Sequence, residues 1–142
     1  MVKKQGIESD FIFIDVKTIH DESGNLSVVE SGIDLPFKIE RIYYIWHTGS
    51  NLPRGSHAHK SLYQAFIGLH GSCELIFQDG SRERRFLMSD PSKILIVPPG
   101  YWRDIRNFSE DCVLMVLASD HYNENDYIRD YDQYLEYVSP KA

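Results

Sequence analysis

Two histidines one residue apart, His57 and His59, lie in the run Arg54-Gly55-Ser56-His57-Ala58-His59-Lys60. Side chains alternate between the faces of a strand, so a His-x-His pair turns both imidazoles to one side and Ala58 to the other. Imidazole titrates near neutrality, which suits it to moving protons, and its neutral form binds metal ions. Arg54 and Lys60 bracket the pair with positive charge. Such a group suits a metal site, or a metal-free acid–base site beside an anionic substrate; a pair of half-buried histidines without chemistry is the plain alternative. A second loaded stretch is Pro98-Pro99-Gly100-Tyr101-Trp102-Arg103 with Asn107, and Gln64 and Gly71 follow the histidines at fixed distances.

The elements that must position these residues read as strands. Phe11 to Ile19 is rich in β-branched and aromatic residues and predicts a first strand, with Leu26 to Glu30 a second after the Gly24-Asn25 turn. Pro36 defers the next strand to about Phe37, and Arg41 to Trp46 is its strongest part. His47 to Gly55 predicts a loop leading into the histidine strand. Leu62 to Leu69, Cys73 to Phe77, Arg84 to Met88, Lys93 to Val97 and Tyr101 to Phe108 are further strands, with an Asp79-Gly80 hairpin signal among them. Cys112 to Ala118 is almost continuously apolar and predicts a strand buried on both faces. The period then changes. Tyr127, Ile128, Tyr131, Tyr134, Leu135 and Val138 fall at helical spacing and predict a C-terminal helix over about 123–138, capped by Asn123 or Asn125. Many short strands at turn intervals mean an all-β sandwich or barrel.

The 142 residues fit one domain, and the net charge of -6 with no long basic run argues against nucleic acid as the main partner. Cys73 and Cys112 have no Cys-x-x-Cys spacing and predict two buried thiols in a reducing compartment. The apolar run Phe11-Ile12-Phe13-Ile14 is too short for a signal-peptide core or a membrane span, so a cytoplasmic protein without membrane association is expected. No Gly-rich nucleotide loop follows a strand, and no redox cofactor is expected.

The two loaded stretches together resemble the cupin pattern. His57-Ala58-His59, four residues, Gln64, six residues, Gly71 has the spacing of the first cupin motif, and Pro98-Pro99-Gly100-Tyr101-Trp102-Arg103, three residues, Asn107 has that of the second. The resemblance implies an all-β cupin (jelly-roll) β-barrel with a short C-terminal α-helix. A metal cupin would carry Glu and His where this chain carries Gln64 and Arg103. Gln is a poor ligand, and Arg has no lone pair to give a cation and repels it. The expectation is therefore no metal.

The resemblance narrows further. The run Arg54 to Lys60, the Tyr43-Tyr44-Ile45 strand, and the tail through Ser119-Asp120 and Asp126-Tyr127-Ile128-Arg129-Asp130-Tyr131 look like the sugar 3,4-ketoisomerases, which act on dTDP-4-keto-6-deoxyglucose. That implies transfer of the ketone from C4 to C3 through an enediol, with a dTDP-linked 4-keto-6-deoxyhexose as partner and a homodimer that pairs N-terminal strands across subunits; Phe11 to Ile14 suits such an exchanged edge. The reaction needs a base near neutrality, an acid for the oxygens and donors for the oxyanion. One of His57 and His59 is expected to take the C3 proton while the other serves the oxygens, and the sequence leaves the order open. Tyr44 is the expected supporting hydroxyl, with Tyr43 facing away as the weaker candidate. Arg54 suits the pyrophosphate, with Lys60 adding charge. Gln64 and Arg103 are expected to line the cavity and bind the hexose. Trp102 is a candidate beside them, although alternation turns it to the opposite face, where it would pack in the core. Arg103 in place of a histidine points toward a gluco-configured product at C4. A 3,5-epimerase of related cupin type and a non-catalytic sugar-binding cupin are the alternative readings, and the tail fits the ketoisomerases better than either.

Overall fold

The computed structural model describes residues 10–48 and 52–140. Among the described residues twelve strands (β1–β12), a 3-10 turn and one helix follow in chain order. The first large sheet has the order β1 (Ile12–Asp15), β9 (Lys93–Val97), β6 (Gln64–His70), β11 (Val113–Ala118), β4 (Arg41–Trp46). The second has the order β12 (Tyr127–Ile128), β5 (Arg54–His59), β10 (Trp102–Arg106), β7 (Cys73–Gln78), β8 (Glu83–Met88). Every pairing is antiparallel. The two sheets face each other as a jelly roll without closing into a barrel, so the expected architecture holds in its sandwich form.

Period-2 alternation explains the layering. Inward residues Phe66, Leu75, Phe77, Leu95, Leu114 and Val116 fill the space between the sheets with Phe11 and Met88. The outward residues of the first sheet, Ala65, Ile67, Ile94, Ile96 and Leu117, are covered by Val16 and by Leu35 with its neighbours Val29, Phe37 and Ile39. That second cover is why β11 reads as a continuous apolar run. The outward face of the second sheet is covered by the helix α1 (Tyr131–Val138).

Two expectations are corrected. The first strand breaks at Val16, whose N–H donates to the Ser92 carbonyl, and its second half becomes β2 (Lys17–Asp21), which pairs with β3 (Gly24–Val28) in a separate hairpin. The run Phe11 to Ile14 belongs largely to β1, which pairs with β9 and forms the edge of the first sheet. The helix expected over 123–138 starts only at Tyr131. Asn123 caps the 3-10 turn Glu124–Asp126, β12 then pairs with β5, and Asp130 caps α1 by accepting from the Gln133 N–H. The helical spacing of Tyr127 and Ile128 is coincidental, because the unpaired edge of β5 offers their backbone groups a ladder.

Candidate active site

A bulge aims the histidines. Arg103 pairs with His57 and Asp104 with Gly55, so Ser56 is the extra residue between them. Gly55 and Ser56 take positive φ of 92° and 58°, and a Cβ on Gly55 would stand 3.1 Å from the Arg103 carbonyl oxygen. The Ser56 hydroxyl donates to the Asp104 carboxylate at 2.7 Å and fixes the bulge. Beyond it, His57 and His59 both turn inward, with ring centroids 4.9 Å apart and planes at 84°.

Each imidazole has its Nδ1 against an oxygen that accepts. His57 Nδ1 lies 3.0 Å from the Gly55 carbonyl oxygen, which only accepts, so Nδ1 carries the proton and Nε2 keeps its lone pair. His59 Nδ1 lies 2.9 Å from Asp126 Oδ2, while its Nε2 is buried with no hydrogen-bond partner. Burial first and the Arg103 cation second lower His57 to about 4. The same two causes in the same order hold His59 lower still, against the pull of the Asp126 carboxylate. Both rings are neutral bases at pH 7.

Arg103 supplies that field. It is 2% exposed and makes no ion pair among the described residues. Its Nη1 donates to Gln64 Oε1, and Gln64 Nε2 donates to the Tyr43 hydroxyl at 3.0 Å. The guanidinium lies 5.4 Å from the Phe77 ring centroid. Burial lowers Arg103 to about 10, so it stays charged at neutral pH. A buried cation without a carboxylate favours any negative charge that develops beside it.

A cavity of about 420 Å³ opens over this group, walled by Tyr43, His57, Tyr127 and three arginines, Arg41, Arg54 and Arg129. Arg129 lies 4.1 Å over the Tyr127 ring and is held by Glu124 at 2.7 and 2.9 Å. Arg41 and Arg54 make no ion pair among the described residues, so their charge is open to a ligand. In a chain of net charge -6, this mouth is a local positive site suited to phosphate oxygens.

The structure thus gathers His57, His59, Gln64, Arg103 and Tyr43 in one cluster, with Arg54 at the rim; Gln64 and Arg103, expected to line the cavity, lie buried behind its wall with His59, because they bond to each other across the facing sheets. The two tyrosines exchange their expected places. Alternation along β4 carries Tyr43 inward to Gln64, and leaves Tyr44 62% exposed at the cavity edge. Trp102 faces out of the cavity and packs on Tyr131 and Tyr134 of α1, with centroids 5.1 and 5.7 Å away. Lys60 is exposed and lines a separate notch with Ser61 and Asp126. Sequence reasoning missed Arg41, Asp126, Tyr127 and Arg129. The run Asp126 to Arg129 was visible as family-specific, but its helical spacing hid that β12 lays it against the histidine strand. The donor set does not fit a metal ion, since the Gln64 carbonyl oxygen already accepts from a guanidinium that fills the fourth ligand's place.

Facing sheets that bring the His-x-His strand β5 to a cavity lined by His57, with Arg103 of β10 buried behind it, define a protein of the cupin class. The sequence matches the family described as "FdtA: WxcM-like, C-terminal" over residues 9–139, and the chain belongs to that family. It is 44% identical over 126 residues to TDP-4-oxo-6-deoxy-alpha-D-glucose-3,4-oxoisomerase of Aneurinibacillus thermoaerophilus, covering 89% of this chain and 91% of that one. The solved structure of a histidine-to-asparagine mutant of the 3,4-ketoisomerase QdtA from Thermoanaerobacterium thermosaccharolyticum, in complex with TDP-4-keto-6-deoxyglucose, superposes with a TM-score of 0.89 at 39% identity, over 93% of this chain and 96% of that one. A 3,4-ketoisomerase from Helicobacter canadensis gives 0.88 at 43%, over 92% and 98%. A dTDP-4-dehydrorhamnose 3,5-epimerase from Bacillus anthracis, at 13% identity and a TM-score of 0.72, shares the fold alone.

Proposed function

We propose that this chain is a 3,4-ketoisomerase that converts TDP-4-keto-6-deoxyglucose to a TDP-3-keto-6-deoxyhexose without a metal or redox cofactor. One observation carries the reading: a neutral imidazole, His57, stands with a free Nε2 on the wall of an arginine-rimmed cavity, above a buried unpaired cation. The C3 hydrogen is acidified by the neighbouring C4 carbonyl. His57, which lines the cavity, removes it as a proton, and the C3–H electron pair forms the C3–C4 double bond as the carbonyl oxygen takes negative charge. Arg103 stabilises that enediolate. Return of the proton to C4, and movement of the O3 proton to O4, leaves the ketone at C3. His59, behind His57, serves the second proton transfer. Arg54 and Arg41 take the pyrophosphate, and Gln64 with Tyr43 bonds the hexose. Tyr44 borders the nucleotide side.

The chain is further proposed to work as a homodimer. Hairpin β2–β3 stands apart from both sheets with Ile19 and Leu26 more than half exposed, which a second copy would cover. Among the described residues no helix is long and apolar enough to cross a membrane, and the free buried thiols Cys73 and Cys112 suit the reducing cytoplasm.

Proton NMR of chelator-treated protein with TDP-4-keto-6-deoxyglucose in D₂O tests the reading. A new 3-keto sugar is expected, and its coupling constants decide the C4 configuration, for which Arg103 favours gluco. Exchange at C5 would instead make the protein an epimerase. Saturable binding with an unchanged sugar would make it a non-catalytic cupin.

A further inference from the structure

We propose that Asp126 is a positioning residue for this chemistry: clamped by Ser61, its carboxylate holds His59 as the Nδ1–H tautomer and keeps the Nε2 lone pair directed into the protein interior. The proposal rests on the ketoisomerase reading for its catalytic meaning, and on geometry alone for the tautomer. Asp126 reaches His59 across 67 residues of sequence because β12 pairs with β5, Tyr127 opposite His59. The Lys60 N–H donates to the Asp126 carbonyl at 2.9 Å, which fixes the backbone on the other side. The carboxylate divides its oxygens. Oδ1 accepts from the Ser61 N–H at 2.7 Å and from the Ser61 hydroxyl at 2.8 Å. Oδ2 accepts from His59 Nδ1 at 2.9 Å. His59 is 1% exposed, and its other nitrogen has no partner. An orphaned buried acceptor is unfavourable, and a core needing only a polar spacer would satisfy it. Here a three-bond network instead holds the ring so that the lone pair stays available. His57 needs no such device, since a backbone carbonyl sets its tautomer.

The division of the oxygens makes Asp126→Asn a sharp test. Two Ser61 donors claim the remaining oxygen, so the Asn NH₂ turns to His59. A donor opposite Nδ1 requires Nδ1 to accept, and the imidazole proton moves to Nε2. The Nε2 acceptor of His59 becomes a donor with little change of shape, which is the logic of an aspartate that orients a catalytic histidine. Long-range ¹⁵N–¹H NMR reads the His59 tautomer directly. The wild type is expected to show protonated Nδ1 and free Nε2. In Asp126→Asn the two exchange, and kcat falls at least about tenfold with KM little changed. Asp126→Glu keeps the carboxylate and is expected to recover the wild-type tautomer and part of kcat, which a purely structural role would not produce. Wild-type kcat in Asp126→Asn, or a His59 that stays protonated on Nδ1 there, would overturn the proposal. So would protonated Nε2 in the wild type, a result that requires no variant to fold. If the protein turns over no TDP-4-keto sugar, the ketoisomerase reading fails, while the tautomer still decides whether Asp126 sets His59.

Discussion

Strands β5 and β10 carry two environments back to back. Their inner face presents His57, His59 and Arg103, an underpartnered polar group around a cavity. Their outer face presents Ala58 and Trp102, closed under Ile128 and Tyr134. Only the side-chain alternation of a strand separates the two. Tyr134, fully buried, ties the faces together: its hydroxyl shares its one proton between the Gly100 carbonyl at 2.8 Å and the Gln78 carbonyl at 3.0 Å, and the Gly100 N–H donates to the His59 carbonyl at 2.8 Å. The outer face therefore supplies stability and holds the turn beside the site, while the inner face leaves its polar groups open for chemistry.

The strongest way to break this separation is at His57. His57→Asn keeps a polar group of similar reach and removes the base. It is expected to lower kcat by about 10² or more, with KM and melting temperature close to wild type. A variant that melted early instead would show that the inner face also holds the fold. The mirror experiment is Trp102→Ala. Loss of a large, 7% exposed side chain packed on Tyr131 and Tyr134 is expected to destabilise by about 3–5 kcal/mol in denaturant unfolding. Substrate affinity below the melting range should stay near wild type. A specific loss of affinity in stable protein would return Trp102 to the substrate site.

What was legible in the sequence follows the same division. His57 and His59 were readable because their spacing along one strand fixes their face, and Gln64 and Arg103 because they hold positions of the two cupin motifs that the sequence resembles. Gly55 and Ser56 hid a bulge, but the residues after it alternate normally, so the pair still points inward. Tyr43 and Tyr44 were expected the wrong way round, because the facing of β4 is set by its pairing with β11, a long-range contact with no local signal. Arg41 entered the cavity for the same reason. The tail misled for a different reason: a two-residue strand is too short to carry a period, and the true helix begins only where Asp130 can cap it.

A third test sharpens the electrostatic side of the comparison. With His57 lowered to about 4, the acid limb of kcat/KM is expected well below the ordinary histidine value of 6.5. The base works deprotonated, so activity is lost as pH falls through that limb and stays level from there toward neutrality. Arg103→Met removes the second cause of the shift and leaves burial, the first. Protonation of His57 becomes easier, so the limb should rise part of the way toward 6.5, and the rate above it should fall as the enediolate loses its cation. An unmoved limb would mean that burial alone sets the imidazole, and that Arg103 acts only on the sugar.

The smallest effect separates two neighbouring tyrosines. Tyr43→Phe deletes the hydroxyl that accepts from Gln64 Nε2 at 3.0 Å and leaves that amide one acceptor short. A buried hydrogen bond of this kind contributes about 0.5–1.5 kcal/mol, so a melting shift of a few degrees and a kcat loss below about tenfold are expected. Tyr44→Phe removes a hydroxyl from a mostly exposed side chain and should change neither stability nor kcat. The pair forms a control, because the residues are adjacent, chemically identical and on opposite faces of one strand. If Tyr44→Phe gave the larger kcat loss, the hydroxyl at the cavity rim would be the one that serves the sugar. Tyr43 would then only keep Gln64, and through it Arg103, in place.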